Sequence, residues 1–404
     1  MWSETETGRP LPVFYVEPVG GHRGMHYYDF ELCTALRAVG VDVTLLTCDE
    51  TPRLSMPEGL PVEFPFRRIY GQSPRLVRGW RYARALWTVA REMQQRDVPL
   101  GHFHYFHFLP LDYLFLKALR RMGKRVVVTA HDVIPFDAGP SDIPWLRRLY
   151  AEADRIIVHT QDSGAILSDT FGIPAEEIHT IPFGPFLRFA DEQAQPKAVA
   201  RQRLGIDDGA AMLLFWGQIK TVKGLEHLIR AFHKVAERQP DALLVIAGPE
   251  WKESFHRYAA LIHELGLADR VVARIEYVPD DEAGAYLSAA DLVVLPYTEA
   301  YQSAVLYMAC SFSRPVVASA VGGLAEVVED GVTGMLVPPR EPERLAEAIL
   351  HMLGDLDRAQ EMGKQGRRLV ETKFGWDGIA RQTADVYAEA LGRSQTAPSD
   401  GYVR

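Results

Sequence analysis

Lys220 and Lys223 share the segment GQIKTVKG, with Gly217 and Gly224 at its ends, between an apolar run and a helix-patterned stretch. Two ammonium groups on a strand-to-helix loop can meet a diphosphate, and the leaving group of a sugar nucleotide is a diphosphate that gains charge as its bond breaks. Solvated surface lysines are the plainer alternative for an isolated pair; the flanking glycines favour the anion-binding reading. A second loop, Gly20-Gly21, follows the apolar run LPVFYVEP and precedes a helical pattern. It serves either close approach of backbone N–H groups to a phosphate or a tight strand-to-helix turn, and the GxGxxG spacing is absent. Beyond LVVLPY stand Glu299, Gln302 and Ser303, then Gly322-Gly323 as a second close-approach loop, Glu326 and the turn EDGVTG. His131, next to Asp132, closes the run RVVVTAHD, a strand-end place where a site role outweighs a purely structural one. His102, His104 and His107 resemble a metal cluster in spacing. Strand alternation, however, puts His107 on the opposite face from the other two, so they are read as strand and cleft-lining residues.

These groups need elements to hold them. LPVFYVEP, VDVTLLTC, HFHYFHF, RVVVTAHD and RIIVHT read as strands, with helical stretches near 109–122, 143–152 and 163–171. The pattern restarts at AMLLFWGQI and continues through ALLVIAGP, RVVARIEYV, LVVLPY, RPVVAS and GMLVPP, again with helices between. Alternating strands and helices predict two doubly wound parallel sheets, an α/β chain whose two Rossmann-like domains face across a cleft. Ligands of such sheets dock beyond the carboxyl ends of the strands. The expected domains are 1–190, completed by a C-terminal helix over 376–392, and 191–375. The polar stretch Arg188–Gly209 reads as the linker, and 393–404 as a disordered tail.

At 404 residues, with 47% hydrophobic and 24% charged residues, the chain can bury two cores. No apolar run of membrane-spanning length occurs, and the N-terminus lacks a signal-peptide core. Cys33, Cys48 and Cys310 are far apart in apolar contexts and read as reduced, buried residues, so a cytoplasmic location is expected. A net charge of -9 argues against nucleic-acid binding. Residues 1–190 are nearly balanced, with 21 basic and 22 acidic groups. Within them, Arg67, Arg68, Arg75, Arg78, Arg81, Arg84, Arg91 and Arg96 stand against Glu92 alone. With Trp80, Tyr82 and Trp87 among them, the segment 67–96 fits two readings. It is a basic helix lying on an anionic membrane surface, or a solvated helix whose arginine stems cover apolar surface.

The segment Phe215–Pro339 resembles the donor-binding domain of retaining glycosyltransferases of family 4, a class with the two-Rossmann-domain GT-B fold. GGLAEVVEDGVTGMLVPP with PERLAEAI carries the resemblance most specifically. KGLEHLIRAF and FGWDGIARQTADVY add to it, and GGHRGMHYYDFELCTALRAVGVDVTLLT, TAHD and IPFG match more loosely. The resemblance implies that Gly20 and Gly21 lie near the donor phosphates, that His131 stands near the reaction centre, and that Lys223 holds the diphosphate. It also implies that Glu299 contacts the transferred sugar and that Gly322, Gly323 and Glu326 belong to the donor loop. Gln218 departs from an arginine usual after the loop glycine, a charge Lys220 could supply without the guanidinium fork. Tyr307 stands where a second, ribose-binding glutamate is usual.

The expected site is therefore His131 and Glu299 for the chemistry. Gly20, Gly21, Gly217, Gln218, Lys220, Lys223, Gln302, Ser303, Tyr307, Gly322, Gly323 and Glu326 would bind the donor. The expected reaction is transfer of a hexosyl unit, with retention, from a UDP-sugar or GDP-sugar to a hydroxyl acceptor, lipid-linked or a growing glycan. By the same resemblance it proceeds by front-face attack with neither metal nor cofactor. The substitutions at 218 and 307 keep open a non-catalytic partner subunit, and the two-domain shape keeps open a sugar-nucleotide epimerase.

Overall fold

The computed structural model describes residues 10–20, 25–105, 109–136, 138–252 and 254–392. Gly21, His107 and the tail 393–404 lie outside the described residues. Two compact units divide them: the residues through Pro182 joined by Trp376 onward, and Phe183–Gly375.

In the first unit, near-continuous apolar runs form strands buried on both faces, as a parallel sheet flanked by helices requires. They are β1 (Pro12–Val16), β2 (Asp42–Cys48), β3 (Val62–Phe66), β4 (Leu100–Tyr105), β5 (Arg125–Ala130), β6 (Arg155–Val158) and β7 (Ile178–Thr180). The order is β3-β2-β1-β4-β5-β6-β7, so the winding reverses between β1 and β4. The register sets Tyr15 beside His102 and His104 beside Thr129. Neither edge strand was foreseen. β3 carries Pro65, which only an edge tolerates, and β7 is three residues long. The helix Trp376–Ala390 packs in this unit, where Tyr387 hydroxyl lies 2.7 Å from His102 Nδ1.

The second sheet comprises β8 (Ala211–Trp216), β9 (Ala242–Ala247), β10 (Val271–Arg274), β11 (Leu292–Leu295), β12 (Val316–Ser319) and β13 (Met335–Val337). Its order, β10-β9-β8-β11-β12-β13, makes β8 and β11 neighbours at the reversal. The loops after these two strands therefore lie side by side. Such a reversal is where ligands of doubly wound sheets dock.

The stretch expected to be a linker is built instead from two helices, Leu187–Gln193 and Lys197–Leu204, that belong to the second unit. One of its charges is buried and paired. Arg201, 2% exposed, reaches Asp291 Oδ2 at 2.7 Å, Ala289 O at 3.2 Å and Asp208 O at 2.5 Å. Asp291 also accepts the Met212 amide at 2.7 Å and meets Lys197. The units consequently part at 182/183, ahead of the expected 190/191. Among the described residues, no helix is long and apolar enough to cross a membrane.

Candidate active site

In the second unit the β8 loop is folded against the β11 loop. Thr298 N donates to Val222 O at 2.8 Å, and Lys223 N to Lys220 O at 3.0 Å. Gly224 follows at φ +66°, and a Cβ there would stand 1.9 Å from Pro296 O. Only glycine permits that approach. The turn carries the Lys223 ammonium back over Gly217, where it lies 3.1 Å from the place a Cβ would occupy, and 5.2 Å from the Tyr297 ring centre. Among the described residues no carboxylate pairs with Lys223. Its charge is therefore left for an anion. Gln218 is half-buried in the same loop. Lys220 turns elsewhere: it and Lys252 both approach the Trp251 ring, at 5.1 and 5.3 Å. Neither Tyr297 nor Trp251 carried a signal beyond following a strand.

The β11 loop bears Glu299, exposed and 3.4 Å from Arg340. An exposed pair of this kind contributes about 0–1 kcal/mol, little enough for a sugar hydroxyl to replace it. Ser303 caps the helix Ala304–Ser311 by accepting the Leu306 amide at 3.3 Å, and Gln302 beside it is half-buried. Gly322 and Gly323 start a helix, Gly322–Val327, where a loop was expected. Gly323 N donates to Tyr301 O at 3.0 Å, and a Cβ on Gly322 would meet Ala300 O at 1.8 Å. The glycine pair thus clamps the loop that presents Glu299, and the Gly323 amide is spent in doing so. Glu326 is exposed on the same short helix.

Tyr307 departs from its expected use. It is 3% exposed, its ring packed near Phe183 and Phe374 at 5.5 and 5.8 Å. Burial, then the neighbouring Cys310 and Glu326, push its hydroxyl above the ordinary phenol range, while the Phe183 backbone bonds it. The position of Tyr307 is thus part of the core of the second unit.

The first unit holds a different kind of site. Gly20 sits at φ +65°, its side packed so tightly that a Cβ would lie 2.3 Å from Cys48 Sγ. Its N–H donates to Glu17 at 2.5 Å and is not left for a phosphate, because the buried Glu17 carboxylate also takes the Val19 amide at 2.8 Å. His131, one residue past β5, is 1% exposed and meets His104 Nε2 through its own Nε2. His104 Nδ1 in turn lies 2.7 Å from Asp29 Oδ1, and the His159 ring is 4.5 Å from that of His131. His102 bridges Tyr387 and Thr129, each at 2.7 Å. His102 and His104 are thus interior groups, not cleft lining, since β4 is a central strand covered on both faces. Burial pushes His104 and His159 down to about 3 and His131 and His102 well below the usual range, so all four rings are neutral at pH 7. Burial raises Glu17 and Asp29, each surrounded by little that is positive. Glu17 and Asp29 escaped notice in the sequence because Glu17 ends an apolar run and Asp29 lies in a helical stretch, with nothing in their spacing to mark a site.

Two doubly wound parallel units with this loop chemistry define the GT-B class of glycosyltransferases. Solved structures of that fold superpose on the chain. Sucrose-phosphate synthase from Thermosynechococcus elongatus matches with a TM-score of 0.76 at 24% identity, over 95% of this chain and 99% of that one. HepE from Anabaena, solved with UDP and glucose, matches at 0.74 and 19% identity, over 94% and 100%. Residues 22–184 match the model of Glycosyltransferase Family 4, and 196–369 that of Glycosyl transferases group 1. The chain belongs to glycosyltransferase family 4. Among its relatives are the D-inositol 3-phosphate glycosyltransferases of Salinispora tropica, 28% identical over 94% of this chain and 84% of that protein, and of Thermobispora bispora, 29% identical over 93% and 91%.

Proposed function

We propose that the protein transfers a hexosyl unit, with retention, from a nucleoside-diphosphate sugar to a hydroxyl acceptor. The observation that carries this is the Lys223 ammonium, held over Gly217 with no carboxylate partner among the described residues. Such a charge, fixed before the reaction, stabilises the diphosphate as it departs. Glu299 is the exposed carboxylate on the adjoining loop and suits the sugar hydroxyls. The neutral His131 ring suits a hydrogen bond to sugar or phosphate. Attack from the face that the diphosphate leaves would give retention without a covalent nucleophile. A polar acceptor is in keeping with the names of the inositol-phosphate-glycosylating relatives, and a uridine donor with the ligand named for the Anabaena structure. The test is proton NMR of the full chain supplied with UDP-hexoses or GDP-hexoses, inositol phosphate and a lipid-linked hydroxyl acceptor. The axial or equatorial anomeric signal of the donor should reappear in the product. An inverted anomer, or donor isomerisation without acceptor, contradicts the proposal.

The helix Arg75–Gln95 supports a membrane surface as a second partner. Leu76, Trp80 and Trp87 are 89%, 63% and 61% exposed, and the guanidiniums of Arg84 and Arg91 lie over the two indoles at 5.7 and 5.4 Å. Exposed aromatics among cations suit an anionic lipid interface. Sedimentation with anionic liposomes should carry the protein down, and Trp80→Ser with Trp87→Ser should release it. No sedimentation of the unaltered chain overturns this partner.

A further inference from the structure

Three successive residues of the β8 loop meet three of the β11 loop, the two running past one another in opposite directions. Val222 O accepts both the amide and the hydroxyl of Thr298, at 2.8 and 3.3 Å. Gly224 presses on Pro296, where a Cβ would stand 1.9 Å from the carbonyl oxygen. Between these contacts the remaining pair is a lysine and a tyrosine. The Lys223 ammonium lies over the Tyr297 ring, 5.2 Å from its centre. Backbone contacts on either side therefore fix where both side chains begin. The ring is held as well: Tyr297 is 4% exposed, and its hydroxyl takes a hydrogen bond from Ser303 Oγ at 3.5 Å. Ser303 itself caps the helix Ala304–Ser311.

A ring offers an ammonium something that a carboxylate does not. The aromatic face attracts a cation through its quadrupole and carries no net charge. A carboxylate in that place would cancel the ammonium and repel an incoming diphosphate. Water in that place would leave the long lysine stem free, and the cost of ordering it would then oppose binding. An aromatic face holds the stem and leaves the charge. The surroundings agree with this. Glu299, the carboxylate of the same pair of loops, goes to Arg340 and not to Lys223. Beneath the ammonium lies Gly217, where a Cβ would stand 3.1 Å from Lys223 Nζ and 3.4 Å from Val305 Cγ2, so the glycine keeps the place open.

We propose that Tyr297 is a positioning residue for the donor diphosphate, its ring face setting the Lys223 ammonium over Gly217 before the nucleotide arrives and without neutralising it. This rests on the reading of Lys223 as the group that meets the diphosphate. The effect belongs to the π face and not to the hydroxyl, which is turned to Ser303.

The test joins titration calorimetry to proton NMR of the full chain. Tyr297→Phe keeps the ring and should hold the affinity for the nucleotide that binds, UDP or GDP, within about twofold. Tyr297→Leu keeps an apolar side chain without a π face and should weaken that affinity about five- to tenfold. Added to Lys223→Ala, Tyr297→Leu should cost nothing further, because the ring acts through the lysine. Phenylalanine at 297 should lose affinity stepwise with each fluorine added to its ring, a trend that packing alone does not produce. If Tyr297→Leu does not fold, the fluorinated series carries the test. Equal affinity along that series, a Tyr297→Phe as weak as Tyr297→Leu, or losses that add to that of Lys223→Ala would overturn the proposal. A second readout needs no nucleotide. The Cε protons of Lys223, identified by their loss in Lys223→Ala, should be shifted upfield by the ring current in the unaltered protein and in Tyr297→Phe. In Tyr297→Leu they should return to the ordinary lysine position. Unshifted signals in the unaltered protein overturn the proposal. Shifted signals in a chain whose nucleotide affinity ignores Lys223→Ala contradict the proposed function and leave the contact of lysine with ring standing.

Discussion

The two units use their polar groups in opposite ways. In the second, the charges of the candidate site sit on loops, Lys223 over Gly217 and Glu299 beside Arg340, each held by glycines that let neighbouring backbones touch, while the buried pair Arg201–Asp291 lies apart from them. In the first, Glu17, His102, His104, His131 and His159 are buried within and just beyond the central strands and Asp29 on the helix His26–Ala38, and they bond mainly to one another and to backbone. A charged loop can bind an anion with little rearrangement. A buried neutral network instead fixes orientation, and it is sensitive to any proton added to it.

That contrast predicts a large difference in acid. Histidines whose pKa is depressed when folded stabilise above their unfolded value of about 6.5 and lose that contribution as pH falls toward the folded value, about 1.4 kcal/mol per pH unit for each ring. Glu17 and Asp29, raised by burial, act in the opposite sense, but four rings outnumber two carboxyls. Hydrogen exchange at pH 7 and pH 5 should show protection falling in β4 and β5 far more than in β8 and β11. Equal losses in both sheets would erase the contrast.

Within the second unit, Arg201→Ala leaves Asp291 buried without its guanidinium, and urea unfolding should show a loss of about 3–5 kcal/mol. A loss under 1 kcal/mol would return the 188–209 stretch to the status of a linker. Gly224→Ala forces a methyl group against Pro296 O, and a destabilisation of about 1–3 kcal/mol is expected by the same measurement. Smallest is Tyr307→Phe, which removes the hydroxyl from the Phe183 backbone. Stability should fall by about 1 kcal/mol while the affinity for UDP or GDP stays unchanged. A weakened nucleotide affinity would restore Tyr307 to the ribose side of the site.

Much of this was legible in the residues. Apolar runs marked both inner sheets, and the spacing of Gly217, Lys223, Glu299 and Gly322 marked the loops that the fold brings together. What stayed hidden was the fate of polar groups. The polar stretch Arg188–Gly209 reads as a linker because composition cannot distinguish an exposed charge from a paired buried one such as Arg201. Glu17 and Asp29 are 12 residues apart, and the histidines stand within β4 and just past β5 and β6, so the sheet order β1-β4-β5-β6 and the helix His26–Ala38 together assemble them. The family resemblance sets Tyr307 at a polar position, whereas the aromatic partners that bury it, Phe183 and Phe374, lie far from it in the chain.

The central claim is that the Lys223 loop receives the donor diphosphate, and titration calorimetry with UDP and GDP tests it most directly. One of the two nucleotides should bind the full chain, and Lys223→Ala should weaken that affinity by about tenfold or more while the thermal midpoint holds. Binding undiminished by Lys223→Ala, or no binding of either nucleotide to the unaltered protein, would contradict it.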